Sequence, residues 1–245
     1  MSTPILETDK LSVSFDGFKA IDNLSITVDA DEVRAIIGPN GAGKTTLLDL
    51  ISGRTAPSAG HVRFKGEDFT GLREYRIVRA GIGRKFQTPS VYESLTVFEN
   101  LEMSYPDPRS WWSAWRFRRS PDVVAAIEEI AEQVYLGDRL RDRAETLGHG
   151  QKQWLEIGAL LIQRPQLLML DEPVAGMSVG DREKTVELLA KLSKGHAVIV
   201  VEHDMEFVAK IAHRVTVLHQ GRILAEGPME TVRADPRVIE VYLGN

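Results

Sequence analysis

Residues Gly38 to Thr45 read GPNGAGKT, a full G-x-x-x-x-G-K-[ST] phosphate-binding loop. The pattern carries meaning only between a strand and a helix, and its flanks supply both. Glu32 to Ile37 has the composition of a strand, and Lys44 to Ile51 that of a helix. Gly38, Gly41 and Gly43, with Pro39, Asn40 and Ala42 between them, let successive backbone N–H groups converge on one anion. The following helix aims its positive N-terminus at the same point. Lys44 is expected to reach the β- and γ-phosphates. The hydroxyl of Thr45 is expected to ligate Mg²⁺, with Thr46 completing the nucleotide-binding run. The expected guest is a nucleoside triphosphate.

A second element completes the chemistry. Leu167 to Leu170 is an apolar run that ends in Asp171 and Glu172. An acidic pair at the carboxyl end of a buried strand lies where α/β sheets hold ligands. Asp171 is therefore expected on the Mg²⁺ side, directly or through water, and Glu172 is expected to polarise the attacking water.

Bulk properties narrow the class. A chain of 245 residues with 43% apolar content buries one substantial core and is too short for two nucleotide-binding modules. A net charge of −5 offers no basic face, so no nucleic acid partner is expected. Cysteine is absent, which excludes disulfides and thiolate catalysis. The opening MSTPILETDK lacks the apolar centre of a signal peptide, and Ala197 to Val201 falls far short of the roughly 18 apolar residues a membrane span needs. A cytoplasmic protein is expected.

Periodicity orders the elements. Leu11 to Phe15 and Leu24 to Val28 alternate apolar and polar residues, with the turn residues Asp16-Gly17 between them, as half-exposed antiparallel strands do. Val33 to Ile37, Leu167 to Leu170 and Val198 to Val201 are nearly all apolar, as central parallel strands are. The fold class is then α/β, a mixed core sheet with an antiparallel β layer. Residues 91 to 165 read as an inserted helical subdomain between core segments 1–90 and 166–245. Within it, Thr96 and Glu99 form a capping box, Ser120 caps a helix with Pro121 at its first position, and Val124, Ile127, Ala131 and Val134 form a stripe. His219-Gln220-Gly221-Arg222 separates two strands of a hairpin, and Asp235-Pro236 opens a last amphipathic helix.

The chain resembles the ATP-binding subunits of ABC transporters over essentially its whole length. The resemblance rests on GPNGAGKTT (38–46), Gln87 within RKFQTPS, LGHGQ (147–151) in the signature position, LLMLDEP (167–173) and His203 in VVEHD, in the family's order. It implies the P-loop ABC ATPase fold as one nucleotide-binding domain, with ATP and Mg²⁺ as ligands. It also assigns roles. Gln87, after an apolar strand Ala80 to Phe86, places a neutral amide near Mg²⁺ and the attacking water. His203 contacts the γ-phosphate. Phe15 stacks on adenine, with Phe18 as competitor. Leu147, Gly148, His149, Gly150 and Gln151 cap the γ-phosphate of ATP held by the opposite subunit.

Two departures stand out. The usual LSGGQ becomes LGHGQ, so a serine hydroxyl is lost at Gly148, a donor to a charged acceptor worth about 1.5–3 kcal/mol. Backbone amides and the helix N-terminus remain, and His149 is a possible replacement donor. Where the family reads SALD after Pro173, this chain reads Ala175-Gly176-Met177-Ser178, without the aspartate.

The strings IGRKFQTPSVYESLTVFENL (82–101), HGQKQWLEIG (149–158) and DEPVAGMSVGD (171–181) are similar to the branched-chain amino acid importer group, and within it most similar to the urea and short-amide ATPase. Urea or short amides are the leading expectation for the solute. Branched-chain amino acids, a lipid-exporter-type subunit and a non-transport ABC ATPase are the alternatives. Such importers imply a second ATP-binding subunit, a sister ATPase in a heterodimer with a homodimer of this chain as the alternative, together with transmembrane permease subunits, a solute-binding protein acting indirectly, and a peripheral place on the cytoplasmic face of the cell membrane. Residues 104–120, with three tryptophans beside Arg116, Arg118 and Arg119, suit an aromatic-stapled loop or a surface against membrane or permease.

Overall fold

The computed structural model describes residues 4–86, 90–106 and 120–243. Gln87 and the tryptophans and arginines of 111–119 lie outside the described residues.

Strands β1 (Leu6–Phe15) and β2 (Phe18–Val28) form a hairpin, and β4 (Ala59–Phe64) and β5 (Glu67–Asp68) extend it into an antiparallel sheet of order β2-β1-β4-β5. Asp16 (φ 47°) and Gly17 (φ 86°) both adopt positive φ, as a two-residue primed turn requires. Strand β1 starts five residues before the alternation that announces it. The register shifts between Thr8 and Leu11, where Lys10 takes φ 49°, and this bulge breaks the period-two pattern.

The second sheet runs β10-β9-β3-β8-β7-β6, from β3 (Val33–Ile37), β6 (Ile82–Lys85), β7 (Leu167–Asp171), β8 (Ala197–Val201), β9 (Arg214–His219) and β10 (Arg222–Gly227). All neighbours are parallel except β10 on β9. Every residue of β3, β7 and β8 is buried, the reason their sequences are nearly all apolar. Successive residues serve opposite layers. Leu167, Met169, Ile199 and Val201 join a core shared with the antiparallel sheet and helix α1 (Lys44–Ile51), whereas Leu168, Leu170, Val198 and Val200 join a core built with helices.

Helices supply the other layer: α3 (Val97–Ser104), α4 (Pro121–Gln133), α5 (His149–Leu161), α6 (Val179–Leu192) and α7 (Met205–Ile211), with α2 (Glu74–Ala80), α8 (Met229–Ala234) and α9 (Pro236–Leu243) elsewhere on the sheets. Thr96 and Glu99 make the reciprocal capping box, and Ser120 accepts from the Val123 N–H with Pro121 next to it. The buried stripe of α4 is Val123, Ile127 and Ala131, so Val123 occupies the place expected of Val124. The expected strand Ala80 to Phe86 is shorter. Ala80 ends α2, Gly81 turns the chain at φ 107°, and only Ile82–Lys85 pairs with β7.

Candidate functional site

The phosphate loop links β3 to α1. Gly38 sits so close to β9 that a Cβ there would lie 2.2 Å from the Leu218 carbonyl oxygen, and one on Gly43 would lie 2.6 Å from that of Ala20. These glycines are therefore demanded by packing as well as by turning. Gly41 (φ 78°) and Gly43 (φ 103°) occupy the left-handed region that lets consecutive amides face inward. Lys44 Nζ donates to the carbonyls of Gly38 (2.7 Å) and Pro39 (3.1 Å), which folds the ammonium over its own loop. Burial lowers its pKa, while Glu172 and Asp171 pull the other way.

A cleft of about 380 Å³ opens above this loop. Asn40 to Thr46 form its floor, Glu172 one wall, and Phe15 and Phe18 with Ala20 another. The two phenylalanines flank the hairpin turn and are 48% and 64% exposed, unusual for rings of this size. Both line the cleft.

At the other end, Thr45 Oγ1 lies 3.3 Å from Asp171 Oδ2. Burial raises the Asp171 pKa, and the nearby Arg84 and the Thr45 hydrogen bond oppose that rise. A buried carboxylate beside a hydroxyl is a hard-oxygen donor set suited to Mg²⁺. No cluster of three or more His, Cys, Asp or Glu among the described residues forms a full metal cage. A cation held here takes its other ligands from phosphate and water, as Mg²⁺ does.

Glu172 follows directly, in the left-handed conformation at φ 47°, with its N–H bonded to the Val201 carbonyl at 2.9 Å. That conformation costs about 1–3 kcal/mol in a non-glycine residue and is typical of functional positions. His203 Nδ1 stands 3.6 Å from Glu172 Oε1 and 3.8 Å from Glu202 Oε2, with the imidazole largely exposed. Glu202 is almost wholly buried and accepts from the N–H groups of His203 (3.0 Å) and Val174 (3.4 Å). It thereby ties the His203 turn to the loop after Glu172, a role the sequence did not disclose. Burial raises the Glu202 pKa against those amides. A raised folded-state pKa means that ionising the group opposes folding progressively as pH climbs from its unfolded value, 4.5, through the folded one. In thermal unfolding, the stability of Glu202→Gln relative to the unsubstituted protein should therefore increase as pH rises across that window. A flat difference would contradict the assignment.

The signature residues stand apart from this cleft, none of 147–151 being in its lining. Gly148 caps α5, and Gln151 Oε1 accepts from its N–H at 3.0 Å. His149 Nε2 lies 3.0 Å from the Ala175 carbonyl, which can only accept, so in this contact the nitrogen donates to the loop after Glu172, and the Gln153 amide stands 3.4 Å from the same atom. A Cβ on Gly150 would press on Asp181 at 2.9 Å, and Gly176 (φ 70°) sits against the His149 ring. The signature and the SALD-position loop are thus one packed unit. Leu147 is buried.

The family model for ABC transporters matches residues 21–175, more than half of the chain. The chain belongs to the ABC transporter family. It is an ATPase of that family, and it binds nucleotide. A second family model, the branched-chain amino acid ATP-binding cassette transporter, matches residues 222–245. Among curated relatives, the high-affinity branched-chain amino acid transport ATP-binding protein BraF of Pseudomonas aeruginosa is 36% identical over all of this chain and 99% of its own length. LivG of Escherichia coli, of the same description, is 32% identical over the same shares. The ADP conformation of an ATP-binding cassette of an ABC transporter superposes with a TM-score of 0.88 at 32% identity, covering 100% of both chains. The α/β fold class and the ABC family resemblance hold. No described helix of this ABC subunit is long and apolar enough to cross a membrane.

Proposed function

We propose that this chain is the ATP-hydrolysing subunit that drives an importer of the branched-chain amino acid class from the cytoplasmic face of the cell membrane. In this reading it pairs with a sister ATP-binding subunit, docks on transmembrane permease subunits and responds to a solute-binding protein indirectly. The observation that carries the reading is the full-length likeness to two proteins described as branched-chain amino acid transport ATP-binding proteins. Urea or short amides remain the second reading, supported by the HGQKQWLEIG string with His149 in the signature.

The geometry supports the following division of labour. Amides of Gly41 to Thr46 and the Lys44 ammonium hold the β- and γ-phosphates, and one of Phe15 and Phe18 stacks on adenine. Thr45 and Asp171 would hold Mg²⁺, which would supply positive charge to the transferred phosphoryl, and Gln87, outside the described residues, is given its place near the metal by the family resemblance alone. Glu172 accepts the proton of the attacking water, and His203, steadied by Glu202, faces the γ-phosphate. Residues 147–151, on the segment 91–165 read as a helical subdomain, close the site of the opposite subunit. Positioning and electrostatics supply nearly all the catalysis in such phosphoryl transfers.

The test is solute-dependent ATP consumption by the transporter reconstituted in vesicles with its permease and binding protein. Leucine, isoleucine or valine should stimulate hydrolysis several-fold over the basal rate. Stimulation by urea or acetamide alone would install the second reading, and silence toward both would defeat the importer assignment.

A further inference from the structure

A buried ion pair crosses from the central sheet to the helix that opens at the signature, and none of the roles assigned above uses it. Lys85, the last residue of β6, has a side chain with 0% exposure, and its Nζ stands 3.3 Å from Glu156 Oε2 on α5. The same ammonium donates to the Phe86 carbonyl at 3.0 Å. The other carboxylate oxygen, Oε1, accepts from the Ser90 N–H at 3.3 Å. The pair therefore holds the backbone on both sides of residues 87–89, through Lys85 at the Phe86 carbonyl and through Glu156 at the Ser90 N–H.

The chemistry of the pair argues against a role in stability alone. Burial lowers the Lys85 pKa and raises that of Glu156, each toward its neutral form, and their mutual attraction opposes this, with Asp171 and Glu202 adding to it at Lys85 and the Ser90 N–H at Glu156. Oε2 accepts no aligned hydrogen bond among the described residues. A buried pair of that kind recovers little beyond its desolvation cost, and apolar replacements of similar volume are often neutral or stabilising. What apolar contacts do not supply is a unique register. The neighbours Leu155, Ile157 and Leu161 on α5 bury into a non-directional core, whereas the ion pair fixes one alignment of the helix against β6. Strand β6 pairs with β7, Lys85 opposite Leu170, one residue before Asp171.

We propose that Lys85 and Glu156 are positioning residues whose ion pair sets the register of the signature helix against the strand edge carrying Asp171 and Glu172. Through that register they set turnover in the closed dimer, without touching nucleotide. The inference rests on the role given above to residues 147–151.

The test uses the assembled transporter, with the wild-type complex as reference. Lys85→Met combined with Glu156→Leu removes both charges at nearly constant volume. The double variant should unfold at or above the wild-type temperature, keep its KM for ATP within twofold, and lose about tenfold or more in kcat, the scale on which small misplacements act. Glu156→Asp, which keeps the charge but withdraws it by one methylene, should show the same split to a smaller degree, and it decides the matter if the double variant fails to fold. Wild-type kcat in the variant that folds would overturn the proposal. A parallel fall in unfolding temperature and ATP affinity would also overturn it, by reducing the pair to a structural one. A wild-type complex that hydrolyses no ATP would instead remove the functional reading on which the proposal stands.

Discussion

Glu172→Gln should bind ATP and hardly hydrolyse it. The substitution keeps size and shape in a residue whose backbone is fixed at φ 47° by the bond from its N–H to Val201, so the wall of the cleft stays in place. What disappears is the carboxylate that accepts the proton of the attacking water, a contribution of about 10²- to 10⁴-fold in rate. The distance of 3.6 Å to His203 places the carboxylate next to the group assigned to the γ-phosphate. Single-turnover hydrolysis and equilibrium ATP binding, measured on the same preparation, separate the two effects. A variant that hydrolyses normally would strip Glu172 of this role.

Lys44→Ala should fail one step earlier, at binding. The Nζ atom bonds only to carbonyls of its own loop in the described structure, at Gly38 and Pro39, so its removal leaves the surrounding packing intact. With phosphate present those donors turn to a charged acceptor, and a hydrogen bond to a charged group is worth about 1.5–3 kcal/mol. Affinity for ATP should fall about ten- to hundredfold, with little change in unfolding temperature without nucleotide. Titration calorimetry gives the first quantity and a thermal melt the second. An unchanged dissociation constant would contradict the assignment, because the ammonium would then face no phosphate.

Much of this was legible in the sequence because the strongest signals are also the least context-dependent. Strands β3, β7 and β8 are covered on both faces, so burial wrote itself into nearly unbroken apolar runs. The phosphate loop was legible because only glycine fits its close approaches, with 2.2 Å between a Gly38 Cβ and Leu218 leaving no room for a side chain. The misses have equally physical causes. The bulge at Lys10 hid the first half of β1 by shifting the phase of its alternation. Helix α2 went unseen because it is short and buries only Ile77.

Helix α6 had a readable start in Ser178, whose side chain accepts from the Asp181 N–H, but its exposed face dilutes the periodic signal. Buried ions were the least visible class. Arg34 is fully buried on β3 against Glu32, Thr216 and Glu226. Arg84 bonds Asp49 (2.7 Å) and Ser52 (2.8 Å), and so ties β6 to the helix of the phosphate loop. In a linear sequence each reads as a surface charge, since its partners come from distant segments. The signal that would have found Arg84 and Lys85 is their position inside a strand next to Phe86 and Gln87, where an exposed charge has no water to face.

The signature shows how a departure from a family pattern is absorbed. Without the serine hydroxyl, α5 is capped by the Gln151 side chain reaching back to the Gly148 amide, and His149 is engaged with the Ala175 carbonyl. The amides at the start of this 13-residue helix keep their direction, and with it their attraction for an anion.

The most direct test of the whole account is a structure of the Glu172→Gln subunit with its sister subunit, ATP and Mg²⁺. The phosphates should lie in the loop 38–46, with the metal at Thr45 and Asp171 and a signature segment from the opposite subunit over the γ-phosphate. A cleft without phosphate, or a γ-phosphate left uncovered in the assembled pair, would contradict it.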